Sequence, residues 1–523
     1  MGSIDWFTKT DPQPEPATTI IYQALLRPAL IHIYGPKEYR DERDLFERID
    51  EILTSSGLEH EFVELSVRHH GLDLDMISAR RAGGFARISA IALRSNIARH
   101  LTGLGHRGFC TRLADSQLLQ WFLRVGGVGG IKTFAKSTSD RFGRWLDEPQ
   151  LLEINTRLTA RLAESTSSKC DIELTTPISF EDIYFDSTCL KAGIHFPIDW
   201  VLLRDATRTL MKATLLVRRA GLRKRMPQEP LDFLSDMNTL CMKMTAKRRS
   251  REGAKHRKAV LREMKKLARR VGGHAQRHLD VLAERHAETE LSPGQVQQII
   301  DQIEGVLAQL PAAIRQAHER IIGKRLVPNS DKILSLYDAN VQVIVRGKSG
   351  AEVEFGNKLW LGETREGYIA DYDLETVQTA DTSHVLPALA RLITEQALRV
   401  KSVWGDRGTA SKENAAGLAE LNVNCGLCPR DPSELATRLQ EEPEMREGLK
   451  RRAGTEARIS ILNRAFLGDP ARAKGIDNRK RLVGWAVLAH NLWVLARLPK
   501  RTDEAQSANE PRTGKGAQKD RAA

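Results

Sequence analysis

The chain has 523 residues, of which 41% are hydrophobic, and a formal net charge of +13. This length allows roughly two to four domains with cores of their own, and the excess of Lys and Arg suggests a polyanionic partner, most simply nucleic acid. The six scattered cysteines do not resemble the framework of a secreted disulfide-rich protein, so a reducing, cytoplasmic compartment is predicted.

Two apolar runs, residues 20–34 and 482–498, are shorter than the about 20 apolar residues that a membrane-spanning helix needs. Both also contain polar or charged side chains, Arg27 in the first and His490 and Asn491 in the second. No membrane association is therefore predicted, and the second run is interpreted as a buried helix of a large core.

The N-terminal part predicts helices. Residues 1–83 predict a lead followed by an amphipathic helix over 41–53, in which Leu45, Ile49 and Leu53 recur at every fourth position. Residues 84–165 predict short helices separated by glycines, with arginines on their outer faces. That pattern is typical of a helix-turn-helix DNA-binding domain and equally of an ordinary helical bundle, so both interpretations stay open.

A long basic helical segment follows the first predicted strand (173–190) and a helix over 199–220. Residues 226–328 are polar and helical in pattern, and their stretch 243–270 holds 13 Lys or Arg against two Glu. Like charges destabilise a helix unless a counter-charge is present, and DNA phosphates can supply it. DNA contact is therefore favoured over a merely solvated arm, with the candidate contacts Lys247, Arg248, Arg249 and Arg251.

Strand patterns resume after Pro328, separated by Gly, Asp and Asn turns. They cover 332–337, 341–347, 354–363 and 367–375, with a further short strand over 401–406 after a helix at 383–399. The remainder is helical in pattern up to residue 498, and 499–523 predict a disordered tail. Interleaved strands and helices predict an α/β fold, in which a mixed sheet is flanked by helices.

Three carboxylates occupy informative positions. Asp186 is predicted to end the first strand and Asp406 to end the strand over 401–406. Glu456 lies on the polar face of a predicted helix, with Arg452 and Asn463 on the same face. Three carboxylates brought together need a cation, and hard oxygen ligands suit Mg²⁺ or Mn²⁺. Two such ions about 4 Å apart support phosphodiester chemistry.

The cysteine pair in CGLC (425–428) lacks the two further ligands that a zinc site needs. A structural role is therefore predicted for it. The glycine run VGGVGG (125–130) follows a predicted helix rather than a strand, so it predicts a flexible break and not a phosphate-binding loop.

A set of stretches in a fixed order resembles bacterial insertion-sequence transposases of the DDE class, which have an RNase H-like catalytic core. The matching stretches are RLADSQLLQWFL (112–123), STSDRF (137–142), FDST (185–188), HFPIDWVLL (195–203), ILSLYDANVQVIVRGKSGAEVEFGNK (333–358), GYIADYDLETVQTADTS (367–383), GDRG (405–408), RRAGTEARISILNRAF (451–466) and GWAVLAHNLWVLARL (484–498). The resemblance covers most of residues 85–498.

The resemblance implies an RNase H-like mixed sheet flanked by helices, formed by residues 170–225 and 329–498. An N-terminal helical DNA-binding domain over 84–165 would precede it, and the basic helical insertion over 226–328 would interrupt it. The catalytic and metal-binding residues carried over by position are Asp186, Asp406 and Glu456, with two Mg²⁺ or Mn²⁺ ions.

Accessory DNA contacts carried over by position are Arg452, Asn463, Arg464, Lys348 and Lys358. The sequence departs from the family at two of its motif positions, because Leu449 replaces an aromatic residue and Asn463 replaces a lysine. For the two lysines a solvated strand edge is favoured over DNA contact.

The implied function is a transposase that binds double-stranded DNA at transposon ends and at the target, hydrolyses a phosphodiester and transfers the strand. The resemblance also implies a homo-oligomer on DNA in the cytoplasm of a bacterium, associated with the nucleoid. Two alternatives stay open: an RNase H-like nuclease without strand transfer, and a DNA-binding regulatory remnant without catalysis.

Overall fold

The computed structural model describes residues 29–30, 32, 34–127, 130–164, 172–246, 252–348 and 351–501. The predicted lead as far as residue 28 and the predicted tail from residue 502 lie outside this part of the chain.

Among the described residues, seven α-helices and a small strand pair form the N-terminal region. The helices are α1 (Lys37–Ser55), α2 (Leu58–His69), α3 (Ala79–Thr102), α4 (His106–Asp115), α5 (Gln117–Leu123), α6 (Lys136–Gly143) and α7 (Glu148–Glu164). At the glycine run, β1 (Gly126–Gly127) pairs antiparallel with β2 (Gly130–Ile131), which gives a short strand pair where a flexible break was predicted.

Buried ion pairs hold these helices together. Arg94 of α3 is fully buried and donates to Asp50 of α1 and to Glu59 of α2, at 2.5 Å each. Arg124 donates to the other oxygen of Glu59 at 2.6 Å. Each buried charge therefore has an opposite charge beside it, as burial requires.

A separate helical bundle follows the first long strand, β3 (Asp182–Lys191). It consists of α8 (Asp199–Arg219), α9 (Pro230–Thr245), α10 (Gly253–Arg285) and α11 (Pro293–Ala317). These helices share an apolar core that includes Leu210, Met264 and Ile303. The predicted helix over 199–220 and the helical pattern predicted over 226–328 are confirmed for the described residues.

The remaining elements complete the main sheet and its covering helices. They are β4 (Gln342–Lys348), β5 (Ala351–Glu363), β6 (Ile369–Leu374), α12 (Val385–Ala390), β7 (Ser402–Gly405), α13 (Lys412–Glu420), β8 (Asn424–Leu427), α14 (Pro432–Glu441), α15 (Pro443–Ile461) and α16 (Ile476–Arg497). A π-helical segment, Leu462–Leu467, continues α15 toward α16.

The main sheet is mixed, with the order β4-β5-β3-β7-β8. The strand β3 is antiparallel to β5 and parallel to β7, and β7 is parallel to β8. Both β4 and β6 pair with the other edge of β5, at successive parts of its length. The predicted α/β class with a mixed sheet flanked by helices is confirmed.

The helix α16 is buried on nearly all sides, as predicted for the apolar run 482–498. It packs against α1, α3 and α7 on one side and against β6 on the other. Its buried Asn491 accepts from the backbone N–H of Ile369 at 2.8 Å and donates to its carbonyl at 2.9 Å. Among the described helices, none combines the length and apolar composition that crossing a bilayer requires.

The first predicted strand, over 173–190, begins only at Asp182, a second predicted strand is absent, and one strand was not predicted. Residues 332–337 form no strand, because Gln316 of α11 accepts from the backbone N–H of Ile333 and donates to its carbonyl, at 2.7 and 3.1 Å. The strand β8 was missed, since it has only four residues and includes a glycine. That glycine, Gly426, is needed there because a Cβ would lie 2.2 Å from the ring of Trp404.

Candidate active site

The first predicted carboxylate lies on the central strand of the sheet. Asp186 is in the middle of β3, opposite Leu361 of β5, so the prediction that it ends a strand was wrong. The strand continues to Lys191 because β5 pairs with it along that whole length. The residues before and after Asp186 in β3 are therefore paired with β5, and the side chain of Asp186 is only 13% exposed.

The second carboxylate directly follows β7, as predicted. The parallel register pairs Asp182 with Ser402 and Tyr184 with Trp404, so the same register continued by two residues brings Asp406 beside Asp186. Neighbouring strands lie about 4.8 Å apart. Oδ1 of Asp406 accepts from the backbone N–H groups of Gly408 and Thr409, at 2.9 and 3.2 Å, which orients its carboxylate at the strand end.

The third carboxylate is on α15, which packs across β3 and β7. Hydrogen bonds from two residues close to Glu456 in the sequence fix this helix to the sheet. Oε1 of the buried Glu363, at the end of β5, accepts from Thr455 Oγ1 at 2.7 Å and from Arg458 at 3.0 Å. By contrast, Glu456 is exposed and makes no hydrogen bond or ion pair with another described residue. Its predicted position on a polar helical face is confirmed.

These three carboxylates line one open cleft with a volume of 460 Å³. We call this the acidic cleft. Two further aspartates, Asp381 and Asp469, also line it. Residues far apart in the chain thus converge on one surface through the register of β3 with β7 and the packing of α15.

Arg452 is the cation nearest to the buried carboxylate. Its Nη2 lies 3.3 Å from Oδ2 of Asp186 and 3.9 Å from Oδ2 of Asp406. Burial raises the pKa of Asp186 to about 6, although Arg452 and the N–H of Ser187 act in the opposite direction. The charges of Asp406 and Glu456 raise this pKa further, so the three carboxylates are close enough to repel one another.

The donor atoms of the cleft suit a hard divalent cation such as Mg²⁺ or Mn²⁺, because they are carboxylate oxygens. The raised pKa of Asp186 indicates that its charge lacks full compensation. Within the described residues, however, no three His, Cys, Asp or Glu side chains already form a ligand cluster, and Arg452 stands between two of the carboxylates. The chemistry of the donors therefore fits the ions, and their assignment as ligands stays a prediction.

Three further predicted DNA-contacting residues line the acidic cleft together with Arg452. Arg464 is exposed there, and Asn463 donates to Thr188 Oγ1 at 3.0 Å, on the strand that carries Asp186. Lys358 is buried in β5 and donates to Asp381 Oδ1 at 2.7 Å, so the solvated strand edge considered for it was wrong. Its ammonium group is already engaged by protein oxygens.

The other predicted DNA contacts lie where side chains are not described. Lys348 is the last residue of β4, and its side chain lies outside the described part. Four predicted contacts lie in the gap between α9 and α10, outside the described residues: Lys247, Arg248, Arg249 and Arg251.

One residue of the cleft, Asp381, was not predicted from the sequence. Asp381 follows β6 and accepts from Ser187 Oγ at 3.2 Å as well as from Lys358. The signal that could have revealed it is its place in TADTS, a polar stretch following a predicted strand. Ser187 is thereby tied to a carboxylate, and no histidine is found among the described residues that line the cleft.

Comparison with protein-family models, with curated proteins and with solved structures found no match to the chain. What this site does has therefore to be inferred from its own residues and their geometry.

Proposed function

We propose that the protein is a DNA transposase of the DDE class. In this proposal it binds transposon-end DNA, cleaves a phosphodiester in a metal-dependent step and joins the freed 3′ end to target DNA. It would act as a homo-oligomer on DNA. Its location would be the bacterial cytoplasm, in association with the nucleoid. The main support for this proposal is the convergence of Asp186, Asp406 and Glu456 on one open cleft. There the charges of Asp406 and Glu456 raise the pKa of the buried Asp186.

The order of the strands supports an RNase H-like core for this chain. In such a core three antiparallel strands are extended by two further strands parallel to the first one. Here β3, β5 and β6 form the antiparallel part, and β7 and β8 extend it beside β3. In this proposal β4 is an additional strand, and α9 to α11 form the insertion between the first and second strands of the core.

The residues of the cleft would share the work of phosphodiester chemistry. Two bound Mg²⁺ or Mn²⁺ ions would activate the attacking oxygen and stabilise the leaving one. Asp186, Asp406 and Glu456 would hold these ions. Arg452, which lies beside two of the carboxylates, would then be available to a DNA phosphate, as would Arg464, which also lines the cleft.

Basic surface outside the cleft supports a long DNA contact. The first turns of α10 carry exposed cations, namely Lys255, Arg262, Lys266 and Arg269. Within 243–270 the basic residues exceed the acidic ones by 13 − 2 = 11. Such a surface binds phosphates with an affinity that falls steeply as salt rises. The N-terminal helices would contribute further contacts to the transposon end.

The first test uses the DNA that flanks the coding region. We expect inverted repeats bracketing it, with short direct duplications outside them. The full-length protein is then incubated with a labelled duplex carrying that repeat, a target plasmid and Mg²⁺. Cleavage at the end of the repeat followed by joining to the plasmid is the expected result.

Asp186→Asn protein and wild-type protein with excess EDTA serve as the negative controls, and both should neither cleave nor join. Cleavage without joining would favour a nuclease of the same fold. Metal-independent binding of the repeat without cleavage would favour a regulatory DNA-binding protein, and either result would contradict the proposal.

A further inference from the structure

A second cavity, with a volume of 340 Å³, lies where the N-terminal helices meet the segment that leads into α16. Its walls come from the end of α3, the start of α4, the end of α6 and the first turns of α16. We call it the basic cavity, because five of its lining residues are arginines or lysines: Arg99, Arg144, Arg472, Lys474 and Arg481. Asp140 is the one carboxylate among the described residues that line it.

Arg99 is the most unusual of these cations. The residue is only 8% exposed, and it makes no ion pair with a carboxylate in the described part of the chain. Its Nη2 contacts Nε2 of the neighbouring His100 at 2.9 Å, and its buried Nε has no hydrogen-bond partner. Burial, with the charge of Arg472 adding to it, lowers the pKa of Arg99 to about 10, although the charge of Asp140 acts in the opposite direction. A buried guanidinium without a counter-ion is costly unless an anion completes the site.

The carboxylates near the cavity are already used by other arginines. Asp140 pairs with Arg144, and Asp147 accepts from Arg481 at 2.7 Å. Two exposed cations remain at the rim: Arg472, which donates only to the carbonyl of Gly103, and Lys474, which has no ion pair in the described ranges.

The start of α4 adds further positive potential. Its N-cap residue, Gly105, lines the cavity and has no side chain to cap the first turn. The N-terminal end of a helix carries a partial positive charge and attracts anions. Arg99 lines the same cavity as this helix end. Its burial without an ion pair in the described residues is a second, independent indication that the cavity binds an anion.

We propose that the basic cavity binds a phosphate group, held by the buried Arg99 together with Arg472 and Lys474. A guanidinium presents paired N–H donors that match a tetrahedral oxyanion, and three uncompensated cations favour a multiply charged anion over chloride. The phosphate can come from a DNA backbone or from a small phosphorylated molecule. The DNA source rests on the proposed transposase function, whereas phosphate binding itself does not.

The segment after α15 connects this cavity to the acidic cleft. Asp469 lines the cleft, while Arg472 and Lys474 line the basic cavity only a few residues later. His100 also bonds the carbonyl of Phe466 at 2.7 Å, in the π-helical segment that carries Asn463 and Arg464. A phosphate held in the basic cavity would therefore be bound next to the segment that forms one wall of the cleft.

The test titrates inorganic phosphate into the full-length protein by calorimetry, with ionic strength held constant by chloride. We expect saturable binding to wild-type protein, weakened about tenfold by Arg99→Gln and by Lys474→Gln, since each change removes a charged hydrogen-bond donor to the phosphate. The matched control is Lys480→Gln, which removes a cation from α16 that pairs with Glu148 and lines a different cavity. It should bind phosphate like wild-type protein.

A DNA arm separates the two sources of phosphate. If the source is DNA, inorganic phosphate competes with a duplex, and Lys474→Gln weakens binding of both. If the source is a small molecule, the variant loses phosphate affinity and keeps its affinity for DNA. The proposal is overturned if wild-type protein binds phosphate no better than chloride, or if Lys474→Gln binds it as wild-type does. Because Lys474 is exposed, its variant decides the matter even if Arg99→Gln fails to fold. Phosphate titration involves no cleavage, so its outcome is distinguishable from a failure of the proposed transposase activity.

Discussion

The acidic cleft and the basic cavity are neighbours of opposite charge. In the cleft, Asp186 and Asp406 share one guanidinium, and Glu456 has no partner among the described residues. In the basic cavity the imbalance is reversed, because five cations line it with the single carboxylate of Asp140, and neither Arg99 nor Lys474 forms an ion pair in the described part of the chain. The short segment between α15 and α16 contributes residues to both.

Elsewhere the fold neutralises its buried charges. Arg479 is fully buried and forms a two-pronged pair with Asp338, and Arg391 does the same with Asp371 at 2.7 and 2.8 Å. Uncompensated buried charge costs stability, so a protein retains it where something outside the chain supplies the counter-charge. The difference between these pairs and the two cavities therefore points to ligands: cations in one cavity and an anion in the other.

The largest expected effect is a loss of DNA cleavage with almost no change in the free energy of unfolding. Glu456→Gln should reduce metal-dependent DNA cleavage by on the order of 10³-fold, because a lost metal ligand removes several kcal/mol of transition-state stabilisation. The free energy of unfolding should change by less than about 0.5 kcal/mol, since the side chain is exposed and unpaired in the described structure. Single-turnover cleavage and urea unfolding measure the two quantities.

Glu447→Gln provides the matched control for that change. Glu447 is exposed on the same helix and pairs with Arg365 away from the cleft, so its replacement should leave cleavage unaltered. Equal cleavage by the two variants would remove Glu456 from the catalytic set.

A smaller effect is expected where the cation of the cleft is removed. Arg452→Gln should lower the free energy of unfolding in EDTA by about 2 kcal/mol, because the buried Asp186 loses its nearest cation. Addition of Mn²⁺ should restore most of this loss by supplying a new counter-charge. Urea unfolding with and without Mn²⁺ measures the difference.

Arg446→Gln is the control, since Arg446 is an exposed arginine on the same helix that does not line the cleft. If Mn²⁺ stabilises both variants by the same amount, the cleft does not bind the ion as we propose.

The smallest expected effect concerns pH in the basic cavity. Burial lowers the pKa of His106 from 6.5 to about 4, and Arg99, Lys136 and Arg144 act in the same direction while Asp140 opposes them. At a pH between these two pKa values, the imidazole of His106 binds a proton in the unfolded chain but not in the folded protein. The free energy of unfolding therefore rises with pH across this window. For a partly exposed group the contribution is about 1 kcal/mol.

His106→Gln should remove this contribution. Urea unfolding of both proteins between pH 4 and pH 7 measures it as a difference of slopes. Phosphate should reduce the wild-type slope, since an anion compensates the cations around the imidazole. Identical slopes for both proteins would show that His106 is not held neutral by the basic cavity.

Periodicity in the sequence predicted the long elements well. The helix α8, the helical insertion and the strands β4 to β7 lie close to their predicted positions, because their apolar residues repeat with the period of the element they form. The short β8 carries too few residues for such a pattern. Residues 332–337 have a strand-like composition, but side chains of α11 bind their backbone instead.

Among the site residues, Asp406 and Glu456 have their predicted local settings, whereas Asp186 does not. Its strand continues beyond it through pairing with β5, a partner more than a hundred positions later in the sequence. Asp381 and the engagement of Lys358 were missed for the same reason, since each depends on a contact across the sheet. Local sequence carries no direct record of such a pairing.

The sequence by itself determined which residue types were present for carboxylate chemistry, the type of the long elements that carry them and the basic character of the chain. Only the tertiary structure decided that Asp406 lies beside Asp186, that Arg452 stands between them and that Arg99 is buried without a counter-ion. The physical reason is that element type depends on side-chain periodicity within a few turns, whereas the neighbours of a charge depend on strand register and helix packing between segments distant in the chain.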